Sequence, residues 1–234
     1  MNEEPAYPRL LLHGEAAVSV EFGNCIQLEL NQRVYALEAA IETAQSNAEP
    51  TSPLAAIEAM IPSYRSLLVM FDPLATTQDE LFPLLQDLIS RSQNLPPRRG
   101  RVVEIPVTYG GEEGPDLAFV AETNGVTPQE VIEIHCSRNY PVYMMGFTPG
   151  FPYLGGMDPR IAAPRLPNPR ESIAAGSVGI AGTQTGIYSL TSPGGWRIIG
   201  RTTAILFDPA QPNPFLLSPG DFVRFIALNL PVEE

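Results

Sequence analysis

Between residues 15 and 22 the chain reads EAAVSVEF, with apolar and polar positions alternating as in a strand that buries one face. SLLVMF, at 66–71, is apolar almost throughout and predicts a buried strand. Ile26, Leu30, Val34, Leu37 and Ile41 recur at helical spacing and predict one long helix, capped by Asn24. A second helix is expected over 78–92, where Thr77 precedes QDELFPLLQDLI with Glu80 three positions on, as in a capping box. Pro83 is expected to kink it. LAAIEAMIP, at 54–62, reads as a further strand, so residues 1–95 form a small α+β lobe.

NLPPRRG, at 94–100, reads as a linker, because paired prolines keep a chain extended between domains. Beyond it, in a second domain over 100–234, RVVEIPVTY leads into helical stretches near 115–123 and 127–136. Thr127 and Pro128 supply the second of these with an N-cap and a first-turn proline. From 177 onward SVGIAG, GIYSLT, WRIIGRT, AILFD and DFVRFIAL are short, β-branched or aromatic, and divided by Gly and Pro turns. Strands this short and numerous predict a barrel or a sandwich.

Composition narrows the chemistry. All 14 basic residues are arginine, which excludes a Walker A phosphate loop, a Schiff-base lysine and a biotinylated lysine within the chain. The net charge of −12 argues against nonspecific nucleic-acid or anionic-membrane binding. Residues 1–95 carry four Arg against 13 Asp and Glu, whereas residues 135–204 carry six Arg against only Asp158 and Glu171. That local positive excess points to a site for a small anion. Cys25 and Cys136 are too few for a disulfide framework. His13 and His135 lack metal-ligand spacing, so no metal is expected. The acidic start of the chain has no signal-peptide pattern and no apolar run is of membrane-spanning length, so a cytoplasmic location is expected.

The candidate chemistry gathers in 135–204. GFTPGFPYLGG, at 146–156, holds Phe147, Pro149, Gly150, Phe151 and Tyr153 on a backbone unsuited to helix or central strand. Its aromatics either stack on a ligand or plug a core. Arg165, Arg170, Arg197 and Arg201 offer bidentate recognition of carboxylate or phosphate. His135 suits general-base work near neutrality, and equally a structural place near a helix C-terminus. Trp196 reads as packing, and AAGSVG lacks the first glycine that a nucleophile elbow at Ser177 requires.

EIPVTYGGEEGPDLAFVAETNGVTPQEVIEIH, then the run from YPVYMMGFTPGFPYLGG to SPGGWRIIGRT, then LLSPGDFVRFIAL resemble the family of the 5-oxoprolinase B subunit. That family includes a sporulation histidine-kinase inhibitor and is related to part of the urea carboxylase carboxyltransferase domain. PSYRSLLVMFDP, at 62–73, extends the resemblance into the first lobe. It implies an α+β lobe followed by a cyclophilin-like barrel. It also implies a role in opening 5-oxoproline to glutamate, with ATP handled through a complex that holds two further proteins, the homologous C subunit plus the A subunit. On this reading Arg201, with Arg197, holds anionic groups, Gln184 orients the amide and His135 manages a proton. Glu15 stands where the family usually has Asp, and Arg197 where glutamine is more frequent. The alternative is a regulatory protein that inhibits a histidine kinase; prolyl isomerisation would follow from fold alone, which does not transfer function.

Overall fold

In the computed structural model, which describes residues 6–93, 95 and 100–228, the chain forms two compact units, residues 1–98 and residues 99–234. The expected linker at 94–100 lies outside the described residues apart from Leu95 and Gly100. No described helix is long and apolar enough to cross a membrane.

The first unit is an antiparallel four-stranded sheet with two helices. Strands β1 (Arg9–His13), β2 (Ala17–Glu21), β3 (Ile57–Pro62) and β4 (Ser66–Phe71) are arranged β1-β2-β4-β3. Pairing of Val18 with Val69 and of Val20 with Leu67 puts one valine-rich face on the core. Val34, Leu37 and Ile41 of α1 (Leu28–Ser46) and Leu81, Leu85 and Leu88 of α2 (Gln78–Ser92) cover it. The long helix starts later than its periodicity suggests. Gln27, not Asn24, occupies the N-cap and makes no side-chain cap bond, which leaves Ile26 outside the helix and exposed. The capping box of Thr77 and Glu80 forms as expected, and α2 continues past Pro83 without a break. The bond that Pro83 forgoes is to the carbonyl of Asp79, an exposed first-turn residue that water can serve. LAAIEAMIP is strand only from Ile57, because Pro53–Ala56 forms a 3₁₀ turn whose N-cap Ser52 accepts from the Leu54 N–H.

The second unit is a closed barrel of seven strands. They are β5 (Val102–Tyr109), β6 (Asn139–Met145), β7 (Pro152–Leu154), β9 (Ser177–Ala181), β10 (Gln184–Ile187), β12 (Arg197–Arg201) and β13 (Phe222–Ala227), ordered β10-β7-β6-β13-β5-β12-β9. Strands β8 (Arg170–Ile173) and β11 (Ser192–Gly194) pair beside it. Of the barrel pairings only β13 with β5 is parallel. Barrel strands and the helices α3 (Leu117–Asn124) and α4 (Pro128–Cys136) share one packed core that includes Val107, Tyr140, Val142, Val178, Ile199 and Phe225. Gly125 ends α3 with φ 66°, and the capping box of Thr127 and Glu130 starts α4. AILFD, expected as a strand, contributes only an isolated bridge between Phe207 and Phe215. The closed barrel, in place of a sandwich, fits the cyclophilin-like expectation.

Candidate functional site: an aromatic cleft with one free arginine

The loop after β6 makes its own hydrogen bonds. The Thr148 N–H donates to the Gly146 carbonyl at 2.8 Å, closing a three-residue turn about Phe147. Phe147 is the only non-glycine residue at positive φ (64°) among the described residues, a conformation costly for a bulky side chain. From the other side the Ser189 hydroxyl donates to the Pro149 carbonyl at 2.6 Å. Gly150, at φ 81°, lies so close to Phe207 that a Cβ there would come within 2.7 Å of that residue's Cβ. Pro149 and Gly150 thus shape the loop but do not line the cleft.

Phe151 is the hub of the cleft. It is 2% exposed and its ring meets Tyr153, Tyr188, Trp196 and Phe147 at centroid distances of 5.0, 5.3, 5.5 and 5.6 Å. Phe147 at the lip is 61% exposed. With Arg165, Leu166, Pro169, Gly194 and Gly195 these rings enclose about 180 Å³. Gly194 is required because a side chain there would strike the Tyr188 phenol. Burial pushes the Tyr188 hydroxyl above the ordinary phenol value, against a backbone hydrogen bond at Trp196 and the field of Arg165. Burial likewise raises Tyr153, with Arg165 opposing it. Both are neutral phenols at physiological pH.

The four candidate arginines have different surroundings. Arg170 is forked onto Asp116, with Nη2 to Oδ1 at 3.0 Å and Nη1 to Oδ2 at 2.9 Å. Arg197 donates from Nε to the Pro164 carbonyl, lies 3.7 Å from Asp116 and packs 3.6 Å above the Phe119 ring. Arg201 donates to the Ala175 carbonyl and faces Glu113 at 3.4 Å beside a separate cavity of about 490 Å³. Arg165 is exposed on the cleft wall and has no ion pair or hydrogen bond among the described residues. The cleft's uncommitted positive charge is therefore Arg165, while Arg170 and Arg197 are structural clamps.

The other expected residues lie elsewhere. Gln184 opens β10 opposite Ala181 and does not line the cleft. His135 is fully buried in the barrel core, stacked on Phe225 at 4.3 Å. Thr185 Oγ1 donates to the Gly179 carbonyl, so it accepts from His135 Nε2 at 2.9 Å, and His135 Nδ1 accepts from the Tyr109 hydroxyl at 2.7 Å. Burial holds the His135 pKa down at about 3, and the imidazole is neutral at physiological pH. Sequence reasoning gave Trp196 a packing role, gave Tyr188 no function and left out Asp116 altogether. An Asp ahead of a helix reads as a cap, yet Asp116 makes no side-chain cap bond.

The family model described as carboxyltransferase domain, subdomain C and D, matches residues 8–217. The 5-oxoprolinase B subunit of Bacillus subtilis strain 168 is 42% identical over 230 residues, covering 92% of this chain and 91% of that protein. The protein of the same name from Escherichia coli O157:H7 is 40% identical over 218 residues, covering 93% and 95%. The solved structure of TTHA0988 is 38% identical with a TM-score of 0.76, covering 94% of this chain; this chain spans 41% of that one.

Proposed function

The chain belongs to the carboxyltransferase domain, subdomain C and D, family, and from that premise we propose that it serves as the B subunit of a 5-oxoprolinase, gripping 5-oxoproline while the complex opens it to glutamate. The observation that carries this reading is the aromatic cleft with Arg165 on its wall. 5-Oxoproline is a small five-membered lactam with one carboxylate. Its ring suits contact with Phe151, Tyr153 and Trp196, and its carboxylate suits the guanidinium that no acidic side chain among the described residues has claimed.

Ring opening adds water at the lactam carbonyl, breaks the ring C–N bond and sends a proton to the departing nitrogen. Charge builds on the carbonyl oxygen as water adds. Tyr188, neutral and with its oxygen engaged at the Trp196 backbone, keeps an O–H to donate there. In this reading His135 supports the barrel through Thr185, and neither Gln184 nor Arg201 grips the ring. Nucleotide falls to the C and A subunits, since this chain has no lysine and no phosphate loop; ATP hydrolysis there supplies the driving force.

Co-expression with the A and C subunits tests the proposal. The complex should form glutamate from 5-oxoproline in an ATP-dependent manner, and Arg165→Ala should lower kcat/KM by about tenfold or more. Full activity in that variant removes Arg165 from the site.

A further inference from the structure

We infer that Asp116, which lies outside the cleft, is the positioning residue that holds its arginine-bearing wall in place. The inference rests on reading the cleft as the 5-oxoproline site. Asp116 is 6% exposed and is fixed against β12 by two reciprocal bonds: its N–H donates to the Ile198 carbonyl at 2.8 Å, and its Oδ2 accepts from the Ile198 N–H at 2.7 Å. The same carboxylate takes the fork of Arg170, whose Nη1 reaches on to the Trp196 carbonyl at 3.4 Å. It also lies 3.7 Å from Arg197, whose Nε donates to the Pro164 carbonyl at 3.2 Å.

One buried carboxylate therefore secures both ends of segment 164–170, at Pro164 through Arg197 and at Arg170 directly. Between those ends, Arg165, Leu166 and Pro169 form one wall of the cleft. The bidentate pair at Arg170 fixes direction as well as distance, the looser ion pair at Arg197 steadies the other end, and a segment held at both keeps its free arginine aimed without spending that arginine on an internal partner. The two arginines that the carboxylate engages thus free the third for a ligand.

Asp116→Asn keeps the side-chain shape, loses the charge and presents an amide donor to a guanidinium. Trypsin acting on the full-length chain reads the segment directly, because cleavage after Arg165 requires it to detach locally. Cleavage there should quicken by about tenfold while the rest of the barrel stays resistant. Arg170→Gln, which breaks the fork from its other side, should also quicken it, and the double variant should be no faster than Asp116→Asn alone. In the reconstituted complex Asp116→Asn should raise KM for 5-oxoproline about tenfold with kcat changed by less than about threefold, the split expected of a lost aim and not of a lost reacting group. Unchanged cleavage after Arg165 in both single variants would overturn the positioning role whatever the ligand. A faster cut, combined with a wild-type chain whose Trp196 fluorescence ignores 5-oxoproline, would leave the clamp standing and remove the ligand assignment.

Discussion

Arg165, Arg170 and Arg197 differ in what they can do because one carboxylate, Asp116, engages the last two and leaves Arg165 on the cleft wall. The excess of arginine in 135–204 leads to the expectation of an anion site, but the acid that ties up Arg170 is 54 positions away in sequence, and nothing local names it. Arg165, Arg170 and Arg197 have equal claims as letters and very different ones once Asp116 is in place. His135 shows the same gap. A pKa near neutrality belongs to a solvated imidazole, and full burial among Tyr109, Tyr140 and Phe225 removes that property. With a folded pKa of about 3 against about 6.5 unfolded, the unfolded chain takes up the extra proton between those values. The stability this residue confers is thus complete above pH 6.5 and is lost as pH falls towards 3, at up to about 1.4 kcal/mol per pH unit. Urea denaturation at pH 7 and pH 5 should show a loss of about 2 kcal/mol from this source. In His135→Gln, which keeps a donor and an acceptor but cannot titrate, stability should start lower and lose about that much less between the two values. An equal fall in both proteins would refute the assignment.

At the scale of elements, those that depend on a few consecutive residues were legible and those set by distant pairing were not. Thr77 with Glu80 carries its cap chemistry within four residues and the box forms, and Thr127, read as an N-cap before Pro128, does cap α4, adding a box with Glu130 that the sequence reading does not name. AILFD has strand composition but finds only one bridge, between Phe207 and Phe215, and no place in the barrel order. The loop at 146–156 is intermediate. Its glycines and prolines announce an irregular backbone, yet the one residue held at a costly φ is Phe147 itself. A phenylalanine kept exposed in that conformation gives up stability for the position of its ring at the lip. Phe147→Ala removes the ring and keeps most of the strain, whereas Phe147→Gly removes both. The glycine variant should be more stable than the alanine variant by about 1 kcal/mol in thermal or urea unfolding. Both should bind 5-oxoproline more weakly than wild type, as followed by Trp196 fluorescence. Equal stability in the two would mean that the turn stores no strain.

The whole molecule divides its labour by unit. The fifteen buried residues of the first core all precede residue 90, and the cleft draws every lining residue from 147–196. The sequence carries this division in its charge, since residues 1–95 hold four Arg against 13 acids whereas the 135–204 stretch holds six Arg against two. The barrel has a core of its own and closes on itself without a strand from the first unit. A chain of residues 100–234 should therefore fold cooperatively and retain the cleft, with Trp196, the only tryptophan, as a built-in reporter. Its Kd for 5-oxoproline by Trp196 fluorescence should lie within about threefold of the full chain's, because no contact proposed for the ligand comes from outside it. Turnover should nonetheless be absent when this fragment replaces the full chain, if the acidic first lobe serves to dock the other proteins of the complex. Full turnover by the fragment would relieve the first lobe of that task. A fragment that folds but binds more than about tenfold more weakly would place part of the ligand site outside residues 100–234.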